Sequence, residues 1–383
     1  MIRLITAAVL LLLTASLTTA ALAKPHLLMD LETGRVLSSE EAFVPWHPAS
    51  LTKVMTAYVV FEAIDAGTVS LSDTVRMTRL ATRQPPSRMG YRAGTLLSIE
   101  SALKLLIVKS ANDVSVALAE AVSGSVENFA SRMNQTAARL GMTDSRFTNP
   151  HGLHDKRQVI TARDFGLLLK ALHERHPRYA DYFKAPAVLA QKRNKEGKLI
   201  ERAYYSYNLL LERFRGADGF KTGFVCASGY NFAGSATRGG QRLAAIVLGR
   251  SSQKDRAEAA ARLLSEGFQL PAGSGTPIEE LKASANVRRT PPNMRSVLCT
   301  EEARAKRYEP GAGLAVIDSP WMQKRTKQAI NLRAPLMAGM ALARVTVPKF
   351  RPNYAAPTPI DGGVNRVGGT PTPSFRPSVS AFN

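Results

Sequence analysis

The chain has 383 residues, enough for two domains of ordinary size with a sizeable core in at least one. Hydrophobic residues make up 45% and charged residues 21%, which excludes a largely disordered chain, and two cysteines exclude a disulfide-dense scaffold and a cysteine-only zinc site. Lys and Arg number 51 against 30 Asp and Glu, and the resulting net charge of +21 indicates an anionic partner.

The N-terminus has the parts of a secretory signal peptide. Arg3 precedes an uncharged apolar run, Leu4 to Leu22, that ends in the small-x-small site Ala21-Leu22-Ala23. We expect cleavage of residues 1–23; the alternative is a retained membrane anchor. No later stretch has the ~18 consecutive apolar residues of a membrane helix. We therefore expect an exported protein of the periplasm or cell envelope, at most peripheral on the membrane, that does not bind nucleic acid.

Residues 24–270 have the regular patterns of a folded domain. Two apolar runs around Glu32-Thr33-Gly34 predict a hairpin, and Gly239-Gly240 predicts a turn between two later strands. The predicted helices are Ser50–Ala66, Ser98–Ser123, Val126–Leu140, Thr161–His173 and Asp255–Phe268, and the later strands are Asp218–Val225, Gly229–Ala236 and Arg242–Leu248. This order predicts an α/β domain of the α+β type, with helices covering an antiparallel sheet.

After Pro271 the sequence becomes irregular and basic. Residues 281–383 carry 16 basic and 5 acidic residues. We assign residues 271–345 to a basic segment of undefined structure, and residues 346–383, which are rich in Pro and Gly, to a disordered tail. The basic segment is expected to attach the protein to anionic envelope polymers or a membrane surface by salt-sensitive attraction.

Ser50-Leu51-Thr52-Lys53 fits the pattern S-x-x-K at a predicted helix start. Residues three apart share a helix face, so the hydroxyl and the ammonium lie side by side. The helix dipole and burial lower the pKa of such a lysine, whose neutral amine can then take the serine proton. The pairs Ser101/Lys104 and Ser251/Lys254 fit the same pattern, so spacing alone does not select Ser50.

Two further motifs could complete a site. Ser110-Ala111-Asn112 fits S-x-N on a predicted turn between helices, followed by Asp113 as an expected N-cap, and its rivals are Ser206/Asn208 and Ser284/Asn286. The alternative interpretation is a pair of capping residues. Lys221-Thr222-Gly223 occurs once, in a predicted strand, where Gly indicates close approach of a ligand backbone and Lys and Thr suit a carboxylate. The alternative there is a solvent-facing lysine on an edge strand.

In this order the motifs resemble those of the serine-type D-alanyl-D-alanine carboxypeptidases, the low-molecular-mass penicillin-binding proteins. The resemblance covers about residues 25–270. It extends to five blocks, Pro48–Ala57, Ser110–Asp113, Asn149–Leu153, Asp218–Gly223 and Arg256–Phe268. It implies the fold shared by β-lactamases and penicillin-binding proteins, a five-stranded antiparallel sheet flanked by helices, with a helical subdomain.

The resemblance also implies a role for each motif residue. Ser50 is the acylated nucleophile, Lys53 its general base, Ser110 a proton relay to the leaving amine, and Asn112 a ligand of the substrate's peptide amide. Lys221 and Thr222 hold the terminal D-Ala carboxylate, Gly223 belongs to the same substrate-binding motif, and the backbone N–H groups of Ser50 and Phe224 bind the oxyanion. The implied substrate is a peptidoglycan stem peptide ending in D-Ala-D-Ala, and the implied inhibitors are β-lactams.

The chain departs from the family at two points. Position 224 is Phe where one branch of the family has His, and no match to a β-rich second domain or a C-terminal amphipathic anchor follows Pro271. Three alternatives stay open: an endopeptidase that cuts peptide cross-links, a serine β-lactamase, for which no glutamate stands in an evident position, and a non-catalytic cell-wall binding protein.

The histidines and cysteines complete the sequence analysis. His151/His154 and His173/His176 are spaced i, i+3, but no third ligand follows, so we expect no metal and no cofactor. In an oxidising compartment Cys226 and Cys299 tend to pair, which would close a loop of 73 residues. The alternative is a buried free Cys226 and an unrelated exposed cysteine.

Overall fold

The computed structural model describes residues 24–308, 319–326 and 328–337. The predictions of a signal peptide at 1–23 and a disordered tail at 346–383 fall outside the described residues. The strands are β1 (His26–Asp30), β2 (Arg35–Glu40), β3 (Thr74–Arg76), β4 (Leu96–Ser98), β5 (Ala187–Arg193), β6 (Leu199–Tyr205), β7 (Ala217–Val225), β8 (Gly229–Arg238), β9 (Gln241–Arg250), β10 (Thr276–Pro277) and β11 (Leu332–Ala334). The helices are α1 (Thr52–Asp65), α2 (Arg79–Thr82), α3 (Ile99–Lys104), α4 (Asn112–Ser123), α5 (Val126–Arg139), α6 (Ala162–Arg175), α7 (Ala180–Lys184), α8 (Leu210–Arg213), α9 (Gln253–Gly267), α10 (Arg295–Leu298) and α11 (Glu301–Tyr308).

The main sheet is antiparallel, in the order β10-β2-β1-β9-β8-β7. The predicted N-terminal hairpin and the three later strands are all present, and β1 joins them by pairing with β9. Five of the strands correspond to the expected sheet. The sixth, β10, is a two-residue strand that pairs Thr276 with Val36 on the outer edge.

The sheet separates two hydrophobic clusters. Along β9, Leu243 and Val247 pack in one cluster beneath α9, whereas Ile246 and Leu248 pack in the larger cluster on the other side. This alternation is the period of two expected for a strand covered on both faces. Helix α1 lies inside the larger cluster and is buried almost all round, which fixes the position of its first turn.

The predicted helices are present, with ends shifted by a few residues. Polar caps define several starts: the hydroxyls of Ser125, Thr161 and Ser252 each accept a hydrogen bond from the backbone N–H three residues later. The stretch predicted as Ser98–Ser123 is two helices, because α3 widens into a π turn over Leu105–Lys109 and the chain reverses at Ser110.

A second sheet, in the order β11-β5-β6, was not predicted. Strands β5 and β6 form an antiparallel hairpin, and β11 lies parallel to β5. This hairpin stands beside the turn that carries Ser110, because the Lys192 ammonium donates to the Met89 carbonyl and the Tyr91 hydroxyl donates to the Gln191 carbonyl.

The described residues after Pro271 pack on the elements before it. Ile278, Met294, Leu298 and Ala334 are buried in the larger cluster. The described residues belong to one compact unit. The division of the chain at residue 270 stays a prediction.

Cys226 and Cys299 form a disulfide bond, with Cα atoms 5.7 Å apart. The interpretation of the two cysteines as a pair is therefore confirmed, and the bond ties the end of β7 to the segment after α10. Within the described part of the chain, no helix has the length and apolarity that a bilayer crossing requires.

Candidate active site

Ser50 lies in a tight turn at the start of α1. A 3₁₀ turn, Ala49–Leu51, leads into the helix, and Ala49 adopts a left-handed backbone (φ 49°). Gly152, itself at φ 86°, packs on this turn so closely that a Cβ would collide with the Ala49 carbonyl. Non-glycine residues held at positive φ concentrate at functional sites, where the surrounding structure holds the backbone in place.

Lys53 is fully buried beside Ser50. Its Nζ lies 3.0 Å from Ser50 Oγ, 2.7 Å from Asn112 Oδ1 and 2.6 Å from the carbonyl oxygen of His151. The structure therefore brings together the S-x-x-K motif, the S-x-N motif and the Asn149–Leu153 block. Burial is the main reason that the pKa of Lys53 lies well below its ordinary value, and the positive charge of Lys221 lowers it further. The negative charge of Asp113 acts in the opposite direction.

The rival S-x-x-K pairs have ordinary partners. Lys104 pairs with Glu100 at 2.8 Å, while the Ser101 hydroxyl donates to the Pro335 carbonyl. The Ser251 hydroxyl donates a hydrogen bond to the Asp255 carboxylate at the start of α9. Of these three pairs, all within the described residues, only Ser50 and Lys53 contact each other directly, at 3.0 Å.

Ser110 and Asn112 occupy the turn between α3 and α4. Ser110 has a left-handed backbone (φ 60°), and its hydroxyl is buried without a hydrogen-bond partner among the described residues. Asn112 donates from Nδ2 to the Pro85 carbonyl, which orients its Oδ1 toward Lys53. The Asn112 side chain therefore reaches Lys53 beside Ser50, and the buried Ser110 lies two residues before it.

The expected N-cap role of Asp113 is wrong. Helix α4 begins at Asn112, with Ala111 as its N-cap, so Asp113 lies in the first turn. Its buried carboxylate instead accepts hydrogen bonds from the backbone N–H groups of Met89 and Gly90, at 3.0 and 2.8 Å. Asp113 therefore holds the loop that supplies the Pro85 carbonyl to Asn112.

Lys221 and Thr222 lie on β7, the edge strand beside the Ser50 turn, and both are buried. The alternative of a solvent-facing lysine is therefore excluded, since Lys221 is only 3% exposed. Its Nζ donates to the Thr222 carbonyl at 3.3 Å. Burial, followed by the charges of Arg256 and Lys109, lowers the pKa of Lys221 to about 7.

Arg256 is a site residue that the motif analysis missed. It begins one of the family blocks but has no motif of its own, and it reaches the site from α9. It is 3% exposed; its NH2 group donates to the Tyr207 carbonyl at 3.2 Å, and its Nε has no hydrogen-bond partner in the described part of the chain. Burial lowers its pKa to about 10. Buried cations with unfilled donors favour an anion.

Gly223 packs against the turn that carries Ser50. A Cβ on this residue would lie 2.8 Å from the Pro48 carbonyl oxygen and 3.0 Å from the backbone nitrogen of Ser50. The glycine therefore permits close approach of the Ser50 turn. Next to it, Phe224 packs its ring against Tyr230, with ring centroids 4.3 Å apart.

Asn231 fixes the Ser50 turn on the sheet and was also missed. It is completely buried on β8. Its Nδ2 lies 2.9 Å from the His47 carbonyl and 3.2 Å from the Pro48 carbonyl, and its Oδ1 accepts from Gly249 N–H. No pattern in the sequence distinguishes it from other strand asparagines.

The histidines have partners within the protein. The His151 carbonyl accepts a hydrogen bond from Lys53. Burial and the charge of Lys53 lower the pKa of the His151 imidazole to about 3. His173 lies 2.9 Å from Glu32, and His176 lies 3.0 Å from Asp65. His154 stacks edge-on against His47.

Comparison with known proteins agrees with this geometry. Residues 14–252 match the peptidase family described as D-alanyl-D-alanine carboxypeptidase. The chain belongs to this family. D-alanyl-D-alanine carboxypeptidase DacC of Escherichia coli is 37% identical over 255 residues, which are 65% of this chain and 62% of the relative. DacF of Bacillus subtilis is 32% identical over 248 residues, again 62% of the relative, so the chain spans less than two thirds of these D-alanyl-D-alanine carboxypeptidases.

Solved structures of penicillin-binding proteins share the fold. Penicillin-binding protein 6B of Escherichia coli superposes with a TM-score of 0.58 at 33% identity, over 64% of this chain and 77% of that one. Penicillin-binding protein D2 of Listeria monocytogenes, solved in its ampicillin-bound form, superposes with a TM-score of 0.56 at 30% identity, over 64% of this chain and 97% of that one. The expected fold shared with penicillin-binding proteins is confirmed.

Proposed function

We propose that the protein is a serine carboxypeptidase that removes the terminal D-alanine from peptidoglycan stem pentapeptides through an acyl-enzyme on Ser50. The observation that carries this proposal is the contact between Ser50 Oγ and the fully buried Nζ of Lys53 at 3.0 Å. A buried amine with a lowered pKa, in contact with a hydroxyl, is the arrangement that activates a serine nucleophile.

Lys53 acts as the general base of acylation. Asn112 Oδ1 and the His151 carbonyl can only accept hydrogen bonds, so they take the two N–H groups of a neutral Lys53. The remaining lone pair faces Ser50, whose proton moves to Nζ as Oγ attacks the carbonyl carbon of the penultimate D-alanine. When the tetrahedral intermediate collapses, the C–N bond breaks and a proton passes through the Ser110 hydroxyl to the leaving amine.

Lys221 and Thr222 recognise the terminal carboxylate, together with Arg256. Lys221 and Arg256 are each 3% exposed, and no carboxylate of the described residues pairs with either side chain. A carboxylate bound there would take up the unfilled donors of both side chains. The proposed pocket favours a peptide that ends at the leaving D-alanine.

The backbone N–H groups of Ser50 and Phe224 are proposed to bind the oxyanion. The close packing of Gly223 on the Ser50 turn places these two stretches of backbone side by side. Since the donors are backbone groups, phenylalanine at position 224 leaves this role intact. Water then hydrolyses the acyl-enzyme ester, releases the shortened peptide and returns a proton to Ser50.

β-Lactams are the proposed inhibitors, because they combine an acylating carbonyl with a carboxylate. The related protein D2 is solved with ampicillin bound. Incubation with penicillin should give one covalent adduct, located on the Ser50 peptide by mass spectrometry and absent from Ser50→Ala. An adduct on Ser101 or Ser251 would contradict the choice of nucleophile.

Product analysis on two substrates tests the reaction. A stem pentapeptide should lose one D-alanine, and Ser50→Ala should abolish the release. A cross-linked muropeptide distinguishes the alternative activity: faster cleavage of the cross-link than of the pentapeptide would make the protein an endopeptidase instead.

We also propose that the protein is exported and works in the cell envelope. The sequence features in favour are the leader pattern in residues 1–23 and the excess of basic residues. Its proposed partners there, apart from the substrate, are anionic polymers or a membrane surface bound through the C-terminal basic tail. Fractionation of cells that express the full chain tests the location.

A further inference from the structure

Residues 294–299, which we call the clamp segment, lie against the end of strand β7 and are covalently bonded to it. In the main sheet β7 is an edge strand, and its last pair with β8 joins Val225 to Gly229. The next residue, Cys226, forms the disulfide bond with Cys299. The bond therefore lies at the point where the strand pairing of β7 ends.

The clamp segment also contacts the turn between β7 and β8 without covalent bonds. The Met294 N–H donates to the Ala227 carbonyl at 3.0 Å. Met294 and Leu298 are both buried, and both pack on Gly229. A Cβ at Gly229 would lie 2.7 Å from the Met294 sulfur and 3.0 Å from Leu298 Cδ1. A disulfide, a backbone hydrogen bond and close packing thus hold the same turn.

The β7–β8 turn also contacts the stretch of chain that leads to Ser50. Trp46, which is completely buried, donates from its indole N–H to the Ser228 carbonyl at 2.9 Å. The carbonyl oxygen of Pro48 lies only 2.8 Å from the position that a Cβ on Gly223 would take. The turn held by the clamp segment is therefore also fixed to the stretch that carries the proposed nucleophile.

The end of β7 carries one of the two proposed oxyanion donors. Phe224, whose backbone N–H has this role, directly precedes the last pair of the strand and lies two residues before Cys226. Lys221 lies four residues before that last pair, and its own partner on β8 is Ala233. A displacement that begins at Cys226 therefore moves Phe224 before it moves Lys221.

We propose that the Cys226–Cys299 bond and the clamp segment position the Phe224 N–H for the oxyanion, so that full acylation activity requires the oxidised protein. Cys226, Met294 and Cys299 are positioning residues, since they act through the backbone of β7. The inference rests on the proposed carboxypeptidase function. It couples activity to export, because disulfides persist in oxidising compartments and are rare in the cytosol.

The kinetics of penicillin acylation test this role, measured so that the dissociation constant of the noncovalent complex is separated from the acylation rate constant. Cys226→Ser, Cys299→Ser and the double variant should each lower the rate constant by about tenfold, since an oxyanion donor is misplaced. The three losses should be equal, because each variant removes the same bond. The dissociation constant should stay unchanged, because the oxyanion contact develops only in the transition state.

A matched control separates positioning from stability. Ile278 is completely buried in the same C-terminal part of the chain, next to β10 at the opposite edge of the sheet. Ile278→Ala should lower the melting temperature by opening a cavity, and it should keep the wild-type acylation rate constant. Equal slowing by Ile278→Ala, or wild-type rate constants in both single cysteine variants, would overturn the inference.

Reduction of the folded wild type tests the same point without a substitution that could prevent folding. Dithiothreitol is oxidised to its cyclic disulfide and leaves two protein thiols, at Cys226 and Cys299. The acylation rate constant should decrease by the same factor as in the cysteine variants. A reduced protein that is acylated at the oxidised rate would contradict the proposal.

Hydrogen exchange separates this inference from the proposed function. If penicillin does not acylate the wild type at all, the proposed function is wrong, and the clamp segment can still be tested. Amide exchange over residues 221–230 should become faster on reduction, whereas exchange over β9 should not change. Equal exchange over residues 221–230 in the oxidised and reduced protein would show that the bond does not hold the end of β7.

Discussion

Lys53 Nζ lies within hydrogen-bond distance of three oxygens, and the chemistry of those oxygens decides which proton can move. Two of them, Asn112 Oδ1 and the His151 carbonyl, accept only. The third, Ser50 Oγ, can donate. Burial shifts the lysine toward the neutral amine, and the neutral amine can satisfy all three contacts only if Ser50 donates to it.

The first prediction concerns the pH dependence of kcat/KM. Lys53 must be neutral, so the rate rises with pH through its lowered pKa. Lys221 must be charged to bind the carboxylate, so the rate falls as pH rises above its pKa of about 7 in the free protein. Lys221→Arg should move the alkaline fall to higher pH, because arginine keeps its charge. An alkaline fall at the same pH in this variant would show that another group causes it.

The second prediction concerns Gly223. Gly223→Ala places a Cβ 2.8 Å from the Pro48 carbonyl oxygen, so β7 and the Ser50 turn must separate. We expect penicillin acylation to slow by about a hundredfold, as for a misplaced reacting group. Gly219→Ala in the same strand is the control, because its Cβ meets only side-chain atoms, at 3.4 Å or more. Equal acylation rates in the two variants would contradict this account.

For individual residues, the sequence predicts which side chains form the site better than it predicts the partners that those side chains contact. The S-x-x-K, S-x-N and Lys-Thr-Gly motifs come together as expected. Arg256 and Asn231 could not be found, because burial and an unfilled donor are properties of the folded chain. Asp113 was assigned from the general preference of aspartate for N-caps, and its carboxylate has long-range backbone partners instead, while the packing of Gly223 on the Ser50 turn was not predicted.

At the scale of elements, a series of contacts supports the turn that carries Asn112. The hairpin of β5 and β6 holds Met89 through Lys192, and Asp113 holds the backbone of Met89 and Gly90. The same loop then returns to Asn112, whose backbone N–H donates to the Ser87 carbonyl at 2.7 Å. The hairpin therefore helps to hold Asn112 beside Lys53, although it does not contact Lys53 itself.

The third prediction tests this support with Asp113→Asn. The two carboxylate oxygens accept from three backbone N–H groups, those of Met89, Gly90 and Val114, and asparagine has only one oxygen to offer them. A buried donor left unsatisfied costs about 1–3 kcal/mol, and penicillin acylation should slow because Asn112 loses its fixed position. Asp73→Asn is the control, since that exposed carboxylate also accepts from a backbone N–H, of Ser70. Equal unfolding free energies for the two variants would contradict the support role.

The elements that were predicted have a strong periodic signal, and those that were missed do not. Helices α5, α6 and α9 have polar N-caps and apolar stripes, and β9 alternates between two clusters. Strand β6 is largely exposed, so no apolar alternation marks it. Its strand conformation depends on pairing with β5, which a single sequence does not display.

At the scale of the whole molecule, the segment after Pro271 is part of the folded unit as far as it is described. Its strand β11 pairs with β5, Met337 N–H donates to the Leu96 carbonyl, and Gln323 N–H donates to the Arg213 carbonyl. The disulfide closes a further loop of 73 residues, which the chain-entropy treatment credits with about 4 kcal/mol. The segment therefore contains residues that pack in the core, although its composition is basic.

The fourth prediction separates packing from attachment by two truncations. A chain ending at residue 339 keeps every described contact and loses five basic residues and one acidic residue of the tail. Its melting temperature and its activity on small peptides should equal those of the full chain. Sedimentation with envelope fractions at low salt should weaken, since the lost attraction is electrostatic. Unchanged sedimentation would mean that the tail is not the attachment segment.

A chain ending at residue 318 gives the opposite outcome, because it removes residues 319–337 as well. It loses β11, the buried side chain of Met322 and the ion pair of Arg325 with Glu212, and it leaves the edge of β5 unpaired. A loss of a few kcal/mol should lower the melting temperature by roughly 5–10 °C. Since β5 also positions the loop beside Asn112, penicillin acylation should slow in this chain and not in the longer one. Equal melting temperatures and equal acylation rates of the two truncated chains would show that residues 319–337 do not stabilise the catalytic unit.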